Sequence, residues 1–169
     1  HEPADWNGAV VFNSPHSGSV YPRAFLTASR LDTGMLRRSE DCFVDELAAG
    51  VVERGYPLMR AHFPRCYVDV NREPYELDPL LFGEPRIEGL YKPYHRALRR
   101  LFTRIHRGFG AAILIDCHSM PSTAGAKDER PRADVVLGDR YGTSCIGVVT
   151  EVVESTLRAQ GYAVSRNKP

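Results

Sequence analysis

Ala111-Ala112-Ile113-Leu114-Ile115-Asp116 runs without a break into Cys117-His118-Ser119. The apolar run is strand-sized and reads as a buried β-strand, with a histidine just past its carboxyl end. Before it, Lys92–Arg107 carries Leu98, Leu101, Phe102 and Ile105 at helical spacing, and Pro93 suits a first turn. After it come a strand candidate at Asp134–Leu137, a helix over Thr143–Gln160 stopped by Gly161, and a further strand from Tyr162 to Ser165. The helix presents Ile146, Val149, Val153 and Leu157 on one face. Towards the N-terminus, Ala9–Asn13 reads as a second buried strand that breaks at the turn-rich Ser14-Pro15-His16-Ser17-Gly18. Met35–Arg54 has helical periodicity, with Phe43 and Val44 as core anchors and Gly55 as its stop. Leu58–Phe63 and Arg65–Val70 read as short strands, and Glu73–Gly89 as a long loop of the kind that carries function. Strands alternating with helices predict an α/β fold: a mixed, mostly parallel sheet with helices on both faces.

Composition narrows the function classes. With 169 residues, 43% hydrophobic and 25% charged, the chain can bury one sizeable core, which predicts a single domain over residues 1–169. Disorder is excluded as the main state. Twenty-two basic residues balance 21 acidic ones, for a net charge of +1, which argues against nucleic-acid binding by bulk charge. The basic stretch containing Arg99, Arg100, Arg104 and Arg107 lies mostly opposite its helix's apolar stripe and reads as a solvated face. No apolar run is long enough to cross a bilayer and no signal peptide is visible. Cys42, Cys66, Cys117 and Cys145 form no CxxC pair, so reduced thiols and a cytoplasmic location are expected. The chain begins at His1 rather than Met and stops soon after its last strand begins, so further protein is expected beyond Pro169.

Open α/β sheets place their sites beyond the carboxyl ends of the strands. His16 and His118 both lie there, each followed by serine. A catalytic zinc takes three protein ligands and leaves a position for water, so two such histidines need one carboxylate more. Asp41 is the first choice and its neighbour Glu40 the alternative, since successive helical residues point ~100° apart. Asp45, one turn on, and Asp116, two residues before His118, are candidates to orient a ligand. Arg65-Cys66-Tyr67-Val68-Asp69-Val70-Asn71-Arg72 is the second informative segment. Read as a strand, it puts Tyr67, Asp69 and Asn71 on one face. Arg72 at its end could grip a carboxylate with two parallel hydrogen bonds, Asn71 could add a polar contact, and Asp69 could pair with an arginine to fix its geometry. The opposing reading is a buried Asp–Arg pair that only ties the chain together. His62, His95 and His106 take structural readings, with His95 the nearest to the long loop.

These motifs together resemble the N-formylglutamate amidohydrolase family. They are Asn13-Ser14-Pro15-His16-Ser17-Gly18, Glu40-Asp41-Cys42-Phe43-Val44-Asp45-Glu46-Leu47, Arg65 to Arg72, Asp116-Cys117-His118-Ser119 and Asp134-Val135-Val136-Leu137-Gly138-Asp139, in the family's order and spacing. The family is similar in fold to the zinc carboxypeptidases. The resemblance implies a zinc-dependent amidohydrolase that cleaves N-formyl-L-glutamate to formate and glutamate, as in one route of histidine degradation. It implies His16, Asp41 and His118 as metal ligands. Arg72 and Asn71, with Arg65, would bind the substrate carboxylates. The peptidase pattern has a glutamate three residues after the first histidine, where this chain has Ser19. The family's general base is a glutamate on a strand near the end of the domain, and no segment here matches it, so no base is assigned. Another N-acyl amino-acid deacylase or a carboxypeptidase-like enzyme is the nearest alternative. A catalytically incomplete domain that binds metal and carboxylate is another.

Overall fold

Strand β1 (Val10–Ser14) lies between β2 (Leu58–Arg60) and β3 (Ile113–Asp116) in a three-stranded parallel sheet. The register pairs Phe12 with Leu58 on one side and Asn13 with Asp116 on the other. A second, two-stranded parallel sheet joins β4 (Val135–Leu137) to β5 (Val164–Arg166). The computed structural model describes residues 1–76, 84–122 and 132–168, so residues 77–83 of the expected loop lie outside the described part. The chain forms two compact units, His1–Ser119 and Met120–Pro169, with one sheet in each. The expected α/β architecture is present, and every ladder among the described residues is parallel.

Among the described residues, the helices of the first unit include α1 (Arg23–Ala28), α2 (Thr33–Arg37), α3 (Val44–Ala48), α4 (Gly50–Glu53) and α5 (Lys92–Phe109). Pro93 sits in the first turn of α5, and Gly110 caps its end at φ +73°, a left-handed conformation that favours glycine. The apolar stripe of α5 extends one turn further than Leu98, to the buried Tyr94. Val11 of β1 packs with Leu101 and Ile105 of α5, all buried, and Leu98 and Phe102 flank them. Fully burying a side chain of this size contributes about 1.5–3 kcal/mol, so this contact holds helix to sheet. A second cluster of Ala61, Val68, Val70, Tyr91 and Tyr94 lies under the segment that carries Asp69 and Asn71. In the second unit, α6 (Gly147–Ala159) half-buries Val149, Val153 and Leu157, whereas Ile146 sits exposed at its N-cap.

Three sequence expectations change. The helix expected over Met35–Arg54 is interrupted between α2 and α3, because the Asp41 N–H bonds the His16 carbonyl at 3.0 Å instead of a helical partner. Phe43 then turns the chain with φ +64°. It is 66% exposed, so of the two expected anchors only Val44 is buried. Arg65–Val70 is a turn and not a strand: the Tyr67 N–H bonds the Pro64 carbonyl at 2.9 Å. The part of Glu73–Gly89 that is described is not all loop: Pro74–Glu76 forms a 3-10 turn, and Glu84–Arg86 a helical turn that continues as a π-helix over Ile87–Tyr91. None of the described helices is long and apolar enough to cross a membrane, and all four cysteines are free thiols.

Candidate metal centre and carboxylate clamp

The loop after β1 carries His16 and the segment after β3 carries His118, so the parallel pairing of these strands delivers both rings to one end of the sheet. Their centroids are 4.8 Å apart. Asp41 is tied to the first loop by its backbone bond to His16. Gly18 lets that loop lie against Phe63: a Cβ there would stand 2.3 Å from the Phe63 carbonyl oxygen.

One ligand atom from each of His16, Asp41 and His118 falls within 4.8 Å of the others. Asp41 Oδ2 is the shared point, 2.8 Å from His118 Nδ1 and 3.4 Å from His16 Nδ1. Asp41 Oδ1 faces away and accepts from the Ser119 hydroxyl at 3.2 Å. The opposite ring nitrogens are held from behind. His16 Nε2 lies 2.8 Å from Asp69 Oδ1, and His118 Nε2 lies 3.3 Å from Asp116 Oδ2 and 3.1 Å from Asn71 Nδ2.

Acceptor arithmetic bears on what this triad can hold. A carboxylate only accepts, so Asp69 takes a proton from His16 Nε2, while His118 can give its proton to Asp41 from Nδ1 or to Asp116 from Nε2. Neutral His16 then turns the lone pair of its Nδ1 towards Asp41 Oδ2, and His118 does the same when its Nε2 carries the proton. His16 Nδ1 is buried and makes no hydrogen bond. The orphaned Nδ1 of His16 faces the same Asp41 oxygen as His118 Nδ1, and two imidazoles with one carboxylate form a donor set that suits a divalent metal such as zinc.

Without a metal, protons take that place. The carboxylates of Asp116 and Asp41 raise the His118 pKa to about 9 against the opposing effect of burial. Burial pulls His16 down, but the neighbouring carboxylates of Asp41 and Asp69 outweigh this and raise it. Burial pushes Asp41 up, yet His118 and His16 hold it well below the usual carboxylate range. Asp69 is likewise driven up by burial but brought down to about 2 by His16, the Asn71 N–H and Arg65.

Beside the triad lies the cationic part of the same cleft, lined by Arg65, Arg72, Asn71 and Asp69. Arg65 Nη2 donates to Asp69 Oδ2 at 2.8 Å, and Arg72 Nε lies 3.7 Å from the same oxygen. Asp69 thus pairs with an arginine, as expected, but within a turn, where its Oδ1 also accepts the Asn71 N–H at 3.0 Å. Arg72 Nη1 also lies 3.9 Å from Glu76 Oε1, and both guanidiniums remain partly exposed. They can receive a second carboxylate from solution.

All six residues expected at a site, His16, Asp41, His118, Arg65, Asn71 and Arg72, line this one cleft. Glu40 does not: its carboxylate accepts from the Tyr21 hydroxyl at 2.5 Å and from Arg37 Nε at 3.2 Å. Asp45 is paired with Arg60 and orients no ligand, because it stands outside any helix shared with Asp41. Asp116 does contact His118. His95 is spent on the Val70 carbonyl, 3.0 Å away. Sequence reasoning missed the bond from Asp69 to His16, because a strand reading gave Asp69 no view of that loop. Among the described residues no glutamate lines the cleft.

Comparison with known proteins identifies the family. The description of the N-formylglutamate amidohydrolase family matches residues 8–85 and 83–169. An N-formylglutamate deformylase of Pseudomonas putida is 27% identical over 151 residues, covering 73% of this chain and 57% of the relative. One from Pseudomonas aeruginosa is 25% identical, covering 91% of this chain and 68% of the relative. The chain therefore spans little more than half the length of the first of these. The crystal structure of N-formylglutamate amidohydrolase from Ralstonia eutropha JMP134 superimposes with a TM-score of 0.87 at 34% identity, covering 98% of this chain and 74% of that one. A gene product of Agrobacterium tumefaciens shares the fold, with a TM-score of 0.70 at 17% identity and coverage of 97% and 70%. With its histidine, aspartate and arginine motifs gathered in one cleft, this chain belongs to the N-formylglutamate amidohydrolase family.

Proposed function

We propose that the chain is the metal- and substrate-binding part of a zinc-dependent amidohydrolase that cleaves N-formyl-L-glutamate to formate and glutamate. The observation that carries this reading is the convergence of His16, Asp41 and His118 beside an arginine pair. His16 and His118 through Nδ1, and Asp41 through Oδ2, hold the metal. When bound, zinc polarises the formyl carbonyl and lowers the pKa of a bound water towards ~7. Arg72 and Arg65 take the carboxylates of the substrate and Asn71 adds a polar contact, which fixes the amide relative to the three ligands. Asp69 anchors both guanidiniums through Oδ2 and holds His16 in place through Oδ1. Ser119 keeps the second oxygen of Asp41 turned away from the metal. Both carboxylates in the cleft are engaged with imidazoles, so neither is free to accept the proton of the attacking water. The Pseudomonas relatives are deformylases of N-formylglutamate by name, which supports this substrate over other N-acyl amino acids.

The test is direct. The zinc-loaded chain is given N-formyl-L-glutamate, N-acetyl-L-glutamate and a glutamate dipeptide, and formate, acetate and free amine are measured. Selective release of formate supports the proposal. Preference for the acetyl or peptide substrate overturns the substrate assignment. Tight binding of zinc and glutamate with no turnover of any substrate identifies the chain as a binding domain instead.

A further inference from the structure

Behind His118 runs a buried polar chain that the proposed reaction does not use. Asn13 on β1 is in register with Asp116 on β3, and its Nδ2 donates to Asp116 Oδ1 at 2.8 Å. The hydroxyl of Tyr94, one turn into α5, donates to Asn13 Oδ1. Asn13 is 4% exposed and Tyr94 7%. A side chain placed like this has one permitted orientation. The carboxylate of Asp116 can only accept, so the NH2 end of Asn13 must face it. The oxygen end must then face Tyr94, whose hydroxyl supplies the proton. Tyr94 thus prevents the amide from flipping, and Asn13 occupies Oδ1 of Asp116. The remaining oxygen, Oδ2, is left to accept from His118 Nε2 at 3.3 Å.

We propose that Asn13 and Tyr94 are positioning residues that fix Asp116, and through it the tautomer of His118 in which Nε2 carries the proton and Nδ1 faces the cleft. The inference rests on the reading of His118 as a metal ligand. Two contacts favour the opposite tautomer: the amide nitrogen of Asn71, a donor, lies 3.1 Å from His118 Nε2, and Asp41 Oδ2, an acceptor, lies 2.8 Å from Nδ1 until a metal takes that position. Asn71 and Asp116 are both exposed, but an amide can present either its oxygen or its nitrogen to the ring, whereas Asp116 is a charged acceptor held on its other oxygen by the buried Asn13. The device therefore outweighs Asn71. It also gives Tyr94, which is otherwise a core residue, a specific reason for its hydroxyl.

The experiment uses chain labelled with 15N in histidine, loaded with zinc, and compares wild type with Tyr94→Phe and Asn13→Leu. Long-range 1H–15N spectra identify which His118 nitrogen carries hydrogen, and zinc affinity is measured by competition with a chelator. Wild type should show His118 protonated at Nε2 and zinc-shifted at Nδ1. Loss of an outer partner of a ligand typically weakens a metal site about 10–100-fold. Asn13→Leu should fall in that range and lose the pure Nε2–H form. Tyr94→Phe keeps the core ring and should show a smaller loss with mixed His118 signals. If both variants bind zinc as tightly as wild type with an unchanged His118 spectrum, or if wild-type His118 carries its proton on Nδ1, the inference is overturned. If wild type binds no zinc, or binds it without shifting His118, the metal reading itself fails and takes the inference with it. Tyr94→Phe removes one hydroxyl and no packing volume, so it decides the matter even if Asn13→Leu does not fold.

Discussion

Replacing Asp69 with asparagine removes one charge and almost no volume, yet it touches both halves of the cleft. In the wild type, Oδ1 accepts from His16 Nε2 at 2.8 Å and from the Asn71 N–H at 3.0 Å, while Oδ2 accepts from Arg65 at 2.8 Å. An asparagine can keep its oxygen towards His16 and Asn71 only by turning its NH2 group on to the Arg65 guanidinium, donor against donor. Hydrogen bonds to charged groups are worth about 1.5–3 kcal/mol, and at least one is lost. The His16 ring also loses the negative charge behind it, which for a metal-ligating histidine typically costs about 10–100-fold in affinity, or about 1.4–2.8 kcal/mol. Asp69→Asn should therefore weaken zinc binding by that factor in a chelator competition at neutral pH. Glutamate binding should weaken with it, because Arg65 and Arg72 lose their shared anchor. Asp69→Ala, which also removes the bond to His16 and leaves its nitrogen buried without a partner, should be worse on both counts. Zinc affinity in Asp69→Asn within about twofold of wild type, with glutamate binding intact, would refute the account of Asp69 as the link between the two halves.

Other expectations follow from the same geometry. The His118 pKa of about 9 lies above its ordinary value of 6.5, so its contribution to metal-free stability is fully present below pH 6.5 and is lost as pH rises through 9. Asp69, lowered to about 2 from 3.8, contributes above pH 3.8 and loses that contribution as pH falls through 2. Thermal melting of the metal-free chain should show both edges. Zinc competes with the His118 proton, so zinc affinity should rise about tenfold per pH unit up to pH 9, and a flat profile would contradict the ligand assignment. Gly18→Ala places a methyl group against the backbone at Phe63; it should destabilise by about 1–3 kcal/mol in denaturant melts and weaken zinc binding by moving His16. Arg72→Lys keeps the charge but loses the fork, so calorimetry should show glutamate binding weakened about tenfold with zinc stoichiometry unchanged.

The sequence carried the parts of this site that strands deliver. His16 and His118 follow short apolar runs, and a parallel α/β sheet brings such positions together at one edge. Arg72 and Asn71 were legible as cleft residues from residue type alone. What escaped depends on backbone conformation that periodicity does not encode. The apolar pattern from Met35 to Arg54 continues across Asp41, although the helix does not, because the Asp41 N–H is taken by His16. For the same reason Asp45, expected to follow Asp41 on one face, pairs instead with Arg60. Asp69 sits in a turn after Pro64, which brings it to His16 where a strand would not. Tyr94 was within reach, since it extends the stripe of Leu98, Leu101 and Ile105 by one turn; its hydroxyl bond to Asn13, 81 positions away, was not.

The central claim is that two histidines from neighbouring strands and one aspartate hold a single metal ion. Metal analysis of the purified chain, after saturation with zinc and removal of the excess, tests it most directly. Wild type should retain one zinc per chain, while His16→Ala, Asp41→Ala and His118→Ala should each retain far less, with circular dichroism unchanged. One tightly held zinc in all three variants, or none in wild type, would contradict it.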